Sequence, residues 1–139
     1  MKKRILFLCT GNSCRSQMAE GIANKIFDQV DIKSAGTEAL GINPIAIKVM
    51  NQISISMEQH SSDIVNFNKI NEFDLVITLC GDAKDKCPIF NKDTTHIHWP
   101  IEDPANFKGT DEDIIIKYAE VRDIIYKKIN ELKIKLRKK

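Results

Sequence analysis

Cys9 and Arg15 stand at the two ends of a short loop, with the five residues Thr10-Gly11-Asn12-Ser13-Cys14 between them and Ser16 directly after. A cysteine and an arginine so spaced suit attack on a bound oxyanion. A loop of this length, turned tightly at Gly11 and leading into a helix, gathers backbone N–H groups around an anion, and the positive end of the helix dipole adds to them. The same groups favour thiolate over thiol at Cys9, the candidate nucleophile. Arg15 is the candidate clamp, holding a tetrahedral oxyanion through two parallel hydrogen bonds and stabilising charge in the transition state. Ser16 either donates a hydrogen bond to the thiolate or caps the helix. Asn12 is expected to brace the loop by side-chain-to-backbone hydrogen bonds. Cys14 cannot share the centre of the cradle with Cys9 and reads as scaffold. The loop lacks the Gly-Lys-Ser/Thr ending of a nucleotide-binding loop, so the chemistry falls on the bound anion itself.

Three further residues bear on the reaction type. Asp103, between Glu102 and Pro104, is the candidate general acid for a leaving oxygen, with Pro100 and Pro104 restricting its loop and Glu102 as the fallback acid. Cys80 and Cys87 separate two enzymes. A phosphatase needs Cys9, Arg15, an acid and water, and leaves both thiols without a task. A reductase of an oxyanion must supply two electrons: Cys80 would attack Cys9, and Cys87 would attack Cys80 and move the disulfide outward to a thioredoxin-like dithiol. The spacing equally allows Cys80 to pack at a strand end and Cys87 to be incidental. A non-enzymatic anion or thiol sensor is the third reading, but nothing in the loop is degenerate.

These residues need a frame that brings them together. Arg4 to Cys9 holds an unbroken apolar run, Ile5 to Leu8, of the kind a strand buried on both faces shows. Ala19, Ile22, Ala23, Ile26 and Phe27 recur at helical spacing from about Ser16 to about Asp28, and Val30 to Ser34 reads as the next strand. Asn43-Pro44 is a helix start. A short helix is expected after the loop at His60 to Asp63. Asp74 to Cys80 and Thr94 to Trp99 are further strands. Thr110 and Asp113 resemble a capping box before a long terminal helix patterned on Ile114, Tyr118, Val121, Ile125, Ile129, Leu132 and Leu136. Alternating strands and helices predict one α/β domain over residues 1–139, a three-layer sandwich with a four-stranded parallel sheet flanked by helices. Ligands of such sheets bind outside the C-terminal ends of the strands, where Cys9, Cys80 and the loop after Trp99 all fall.

Composition narrows the partners. Seven basic side chains face only Glu131 in the last thirteen residues, so the tail carries +6 of formal charge and the rest of the chain −4. That tail is expected to solvate the final helix and complement its dipole rather than to bind nucleic acid or a membrane. The apolar run after the basic start is too short for a signal peptide, and a cytoplasmic location is the expectation. Four unevenly spaced cysteines in such a chain are not a structural disulfide framework, and their C-x4-C and C-x6-C spacings are wider than the usual zinc pairs.

The sequence resembles the thioredoxin-coupled arsenate reductases built on the low-molecular-weight tyrosine phosphatase fold. Carrying the resemblance are Cys9 to Ser16 with Gln17-Met18-Ala19-Glu20-Gly21, Ser34-Ala35-Gly36-Thr37 and Asn43-Pro44. Cys80-Gly81-Asp82-Ala83, Cys87-Pro88 and His98-Trp99 ahead of Asp103-Pro104-Ala105 are its reductase-specific parts. It implies reduction of arsenate to arsenite by a monomer, with thioredoxin as reductant and no tightly bound cofactor. Cys9 would be nucleophile, Arg15 clamp, Ser16 thiolate stabiliser, Asp103 acid, and Cys80 and Cys87 the resolving pair. It also implies a potassium ion near the loop, on Asn12, Glu20, Ser34 and Asp63. One departure is Pro100-Ile101-Glu102, where the family more often has a glycine, an aromatic and an aspartate. Tyrosines that flank the acid in the phosphatases are absent beside Asp103, which weakens the phosphatase alternative.

Overall fold

The computed structural model describes residues 3–80 and 94–137. Its framework is four strands, β1 (Lys3–Cys9), β2 (Val30–Gly36), β3 (Leu75–Thr78) and β4 (Thr95–His98). All pair in parallel in the order β2-β1-β3-β4. Around them lie α1 (Arg15–Ile26), α2 (Pro44–Asn51) and the long α3 (Asp111–Arg137), with short 3-10 turns at Phe67–Glu72 and Pro104–Asn106. This is the α/β fold expected, a four-stranded parallel sheet flanked by helices.

β1 is the central element. Ile5, Leu6, Phe7 and Leu8 are all 3% exposed or less, so both faces of the strand are covered. Burying each such side chain stabilises the fold by about 1.5–3 kcal/mol. The chain leaves β1 toward β2 on one side and returns to β3 on the other. The crevice between the C-terminal ends of β1 and β3 is therefore the switch point at which doubly wound sheets bind ligands. Cys9 closes β1 there, and Cys80 follows β3 once the Leu79 N–H has bonded the Leu8 carbonyl at 2.8 Å.

The helix signals act as expected. Asn43 caps α2 by accepting from the N–H groups of Ile45 (2.8 Å) and Ala46 (3.2 Å), with Pro44 in the first turn. Thr110 and Asp113 form the reciprocal capping box, at 3.1 and 3.4 Å. On α3 the buried positions Tyr118, Val121, Ile125, Ile129 and Leu132 follow the predicted stripe. Lys133 of the basic tail donates to the Ile26 carbonyl (2.8 Å), so it neutralises the C-terminus of α1 rather than that of its own helix. β2 runs two residues beyond the expected end at Ser34, since Ala35 and Gly36 stay paired with Leu8 and Cys9. The short helix expected after Asp63 is the 3-10 turn at Phe67–Glu72, started by the Asn66 side chain on Asn68 N–H (3.0 Å). Among the described residues no helix is long and apolar enough to cross a membrane.

Candidate active site

Every carbonyl of the loop after β1 is held from outside. Thr37 N–H takes the Cys9 carbonyl (3.2 Å), Glu38 N–H that of Thr10 (2.8 Å), Leu40 N–H that of Gly11 (3.0 Å) and Asn43 N–H that of Ser13 (2.9 Å). The Gln17 side-chain amide takes the Asn12 carbonyl at 3.0 Å. In a trans peptide the N–H points opposite to the carbonyl, so outward carbonyls turn the following N–H groups toward the enclosed space. The result is a cavity of about 280 Å³ lined by Cys9, Thr10, Gly11, Ser13, Cys14, Arg15, Leu40, Asn43, Asp103 and Ala105, the place where the loop would cradle an anion. α1 starts at its floor with Cys14 in the cap position and no side-chain cap, which leaves the positive end of the helix facing the cavity.

The tight turn belongs to Asn12, not to Gly11. Asn12 has φ 46° and is fully buried, whereas Gly11 has no left-handed backbone. Asparagine tolerates this region because its side chain bonds locally. Here it accepts from Asp63 N–H (2.7 Å) and donates to the hydroxyls of Ser16 (2.8 Å) and Ser34 (3.0 Å). Gly36 is the glycine that the fold requires. A Cβ on it would lie 2.6 Å from the Thr10 and Glu38 carbonyl oxygens and 2.7 Å from Asn12 N, so the end of β2 can lie against the loop only without a side chain.

Cys9 is 3% exposed, and its sulfur lies 2.9 Å from the Ser16 hydroxyl. That hydroxyl accepts from the Asn12 amide and still carries a proton, which it can donate to the sulfur once Cys9 is a thiolate. Ser16 does not cap the helix: it lies buried inside the first turn of α1, and the cap position is Cys14. Arg15 is 9% exposed; its Nη1 donates to the carbonyls of Leu79 (3.2 Å) and Ile101 (2.9 Å), and its Nη2 lies 3.5 Å from Asp103. One guanidinium thus ties the end of β3 and the acid loop to the oxyanion loop. Asp103 reaches the cavity, with its other oxygen accepting from Ala105 N–H at 3.0 Å. Glu102, the fallback acid, is bound instead by Lys117 of α3 at 2.7 Å and does not line the cavity.

Cys80 comes to the loop as its place after β3 requires, its sulfur 3.1 Å from the Thr10 hydroxyl. Cys9, Cys14 and Cys80 are all buried. Burial, reinforced by Asp103, raises the Cys14 pKa far above the ordinary thiol range, so Cys14 stays protonated and serves as packing. Cys87 lies outside the described residues, as do Gly81, Asp82, Ala83 and Pro88.

Beneath the loop, Asn12, Ser34, Glu20 and Asp63 are drawn together. Ser34 donates to the Glu20 carboxylate, Asn12 bridges to Ser34, and the Asp63 carboxylate accepts from Ser61 (2.7 Å). The carboxylate and hydroxyl oxygens of Glu20 and Ser34 are the kind of ligand a hard cation takes. The Asn12 side chain is engaged in holding the loop, with Asp63 supporting it through its backbone N–H. Among the described residues no group of three or more His, Cys, Asp or Glu is placed to hold a metal ion. Sequence reasoning missed Gln17 as a brace. This fully buried amide spans the Asn12 and Ser61 carbonyls (3.0 and 2.8 Å) and takes a hydrogen bond from His60 at 2.8 Å. Its one signal is a glutamine in the first turn of an otherwise apolar helix face.

The profile of the low molecular weight phosphotyrosine protein phosphatase family matches residues 4–139. The chain belongs to that family. Within it, the chain is similar to an arsenate reductase of Oceanobacillus iheyensis, 50% identical over 125 residues, which cover 89% of this chain and 90% of the relative. An arsenate reductase of Bacillus subtilis is 47% identical over 130 residues, covering 93% and 94% of the two chains. A solved arsenate reductase in a phosphate-binding state aligns at a TM-score of 0.73 and 28% identity, covering 94% of this chain and 95% of its own. The arsenate reductases resemble this chain over nearly its whole length.

Proposed function

We propose that this protein reduces arsenate to arsenite through a thiol–disulfide relay, Cys9 to Cys80 to Cys87, that thioredoxin resets. The observation that carries this reading is Cys80, brought to the oxyanion loop beside Thr10, the residue next to the nucleophile. A hydrolase has no use for a thiol there.

The chemistry follows from the geometry. Arsenate enters the cradle against the N–H groups and the helix terminus. Arg15 uses Nη1 for the two carbonyls, so its Nε–Nη2 edge is the fork offered to two anion oxygens. The Cys9 thiolate, held by the Ser16 proton, attacks arsenic; a hydroxyl leaves as water with a proton from Asp103, and a sulfur–arsenic bond results. The Cys80 thiolate then attacks the Cys9 sulfur. The sulfur–sulfur bond forms as the sulfur–arsenic bond breaks, and its electron pair stays on arsenic, which departs as arsenite. Attack of Cys87 on Cys80 releases Cys9 as thiolate and leaves the Cys80–Cys87 disulfide for a thioredoxin dithiol. Phosphate has the same tetrahedral shape, so slow phosphatase activity at Cys9 accompanies this function. The protein acts as a cytoplasmic monomer. A potassium ion would rest on Glu20 and Ser34, offset the carboxylate charge under the loop, and take no part in electron transfer.

The test is arsenate-dependent NADPH consumption with thioredoxin and thioredoxin reductase. Wild type turns over repeatedly; Cys80→Ser does not, yet still hydrolyses an aryl phosphate. Equal arsenate turnover by Cys80→Ser would sink the relay.

A further inference from the structure

Tyr118 of α3 is a buried phenol, 3% exposed, that no step above uses. Its oxygen accepts a hydrogen bond from Asn43 Nδ2 at 3.0 Å. The amide orientation is settled by its other end: Asn43 Oδ1 accepts the two N–H groups that start α2, so Nδ2 can only donate. Asn43 lines the oxyanion cavity, and its own backbone N–H holds the Ser13 carbonyl at 2.9 Å. Tyr118 is thus the third anchor of a residue already bound to α2 and to the loop. Burial keeps the phenol above its ordinary pKa, against the lowering effect of the Asn43 hydrogen bond and with Asp103 of the cavity wall adding to the rise, so the anchor is a neutral hydroxyl at assay pH.

We propose that Tyr118 is a positioning residue for oxyanion binding. By anchoring the Asn43 side chain from α3, it keeps the Ser13 carbonyl turned outward and the Cys14 N–H of the same peptide turned into the cradle. The inference rests on the loop being an oxyanion site, as proposed above. Phenylalanine at this position would fill the same space without an acceptor. Asn43 Nδ2 would then be an unpaired donor and would seek water or the anion, drawing Asn43 and the Ser13–Cys14 peptide off their positions. The α2 cap and the apolar contacts of α3 would remain. The cost therefore falls on the anion before it falls on the fold.

The experiment measures inorganic phosphate affinity by calorimetry alongside KM and kcat for arsenate. In Tyr118→Phe the phosphate Kd and the arsenate KM rise together by about three- to tenfold, the range spanned by one hydrogen bond's net worth, while kcat stays within about twofold. Asn43→Ser retains a capping oxygen but no Nδ2; it shows the same rise, and adding Tyr118→Phe to it changes nothing further. An unchanged phosphate Kd in Tyr118→Phe, or effects that add in the double variant, overturns the proposal. Wild-type protein that binds phosphate but reduces no arsenate would end the reductase reading and leave this one standing on the phosphate measurement.

Discussion

The Thr10 hydroxyl and the Cys80 sulfur lie 3.1 Å apart, joining the residue after the nucleophile to the thiol that follows β3. A hydroxyl at that distance can donate to a thiolate and favour it. It also holds the sulfur near the adduct it must attack. Thr10→Val keeps the shape and removes the donor. Its kcat for arsenate in the thioredoxin-coupled assay falls by about ten- to 150-fold, the scale of a hydrogen bond to a charged group. Its hydrolysis of an aryl phosphate, which bypasses Cys80, stays within about twofold.

Gly36 carries the contact between β2 and the loop. In Gly36→Ala the new methyl would sit 2.6 Å from two backbone carbonyl oxygens, neither of which can rotate away. Overpacking of this kind costs about 1–3 kcal/mol, read as a lower urea midpoint. Phosphate affinity falls with it, because the carbonyls that must yield include that of Thr10. Gly11→Ala is milder, since its Cβ meets the Leu40 side chain first, at 2.9 Å.

The contrast between these two glycines marks what the sequence could and could not reveal. The apolar run of β1, the Asn43-Pro44 start and the Thr110–Asp113 box are local patterns, each read from a few neighbours, and each forms as read. Cys80 and Asp103 reach the site because strand ends share an address in this architecture. Sequence alone points to Gly11 for the turn, because glycine is the usual occupant of strained backbone. Asn12 takes it instead, supported by Asp63, 51 positions away, through a hydrogen bond that no local pattern announces. In the sequence Glu102 stands as a fallback acid beside Asp103; Lys117, in the second turn of α3, claims it. Gln17 and Gly36 act on segments distant in the chain. What stayed hidden was long-range in every case.

Cys14 predicts a pH dependence of stability. Its folded pKa is raised by burial, so the folded state keeps the proton that the unfolded chain gives up above about pH 8.5. The stability tied to this thiol is complete below that pH and declines as pH climbs through the unfolded value toward the folded one. Tyr118, also raised, adds to the decline with the same sign near pH 10. Melting temperature measured from pH 7 to 10.5 should therefore fall at the alkaline end. Cys14→Ala starts lower, for the small cavity it leaves, and shows a shallower alkaline slope. An unaltered slope would mean that Cys14 ionises as freely in the fold as outside it.

The central claim is that Cys80 resolves a covalent adduct on Cys9. Its most direct test is a single turnover of reduced Cys87→Ser with arsenate and no external reductant, quenched in acid and mapped by peptide mass spectrometry. The account predicts about one arsenite released per protein and one disulfide, between Cys9 and Cys80, with Cys14 still a free thiol. Arsenite release with Cys9 and Cys80 both left as thiols, or a disulfide joining Cys9 to Cys14, would contradict it.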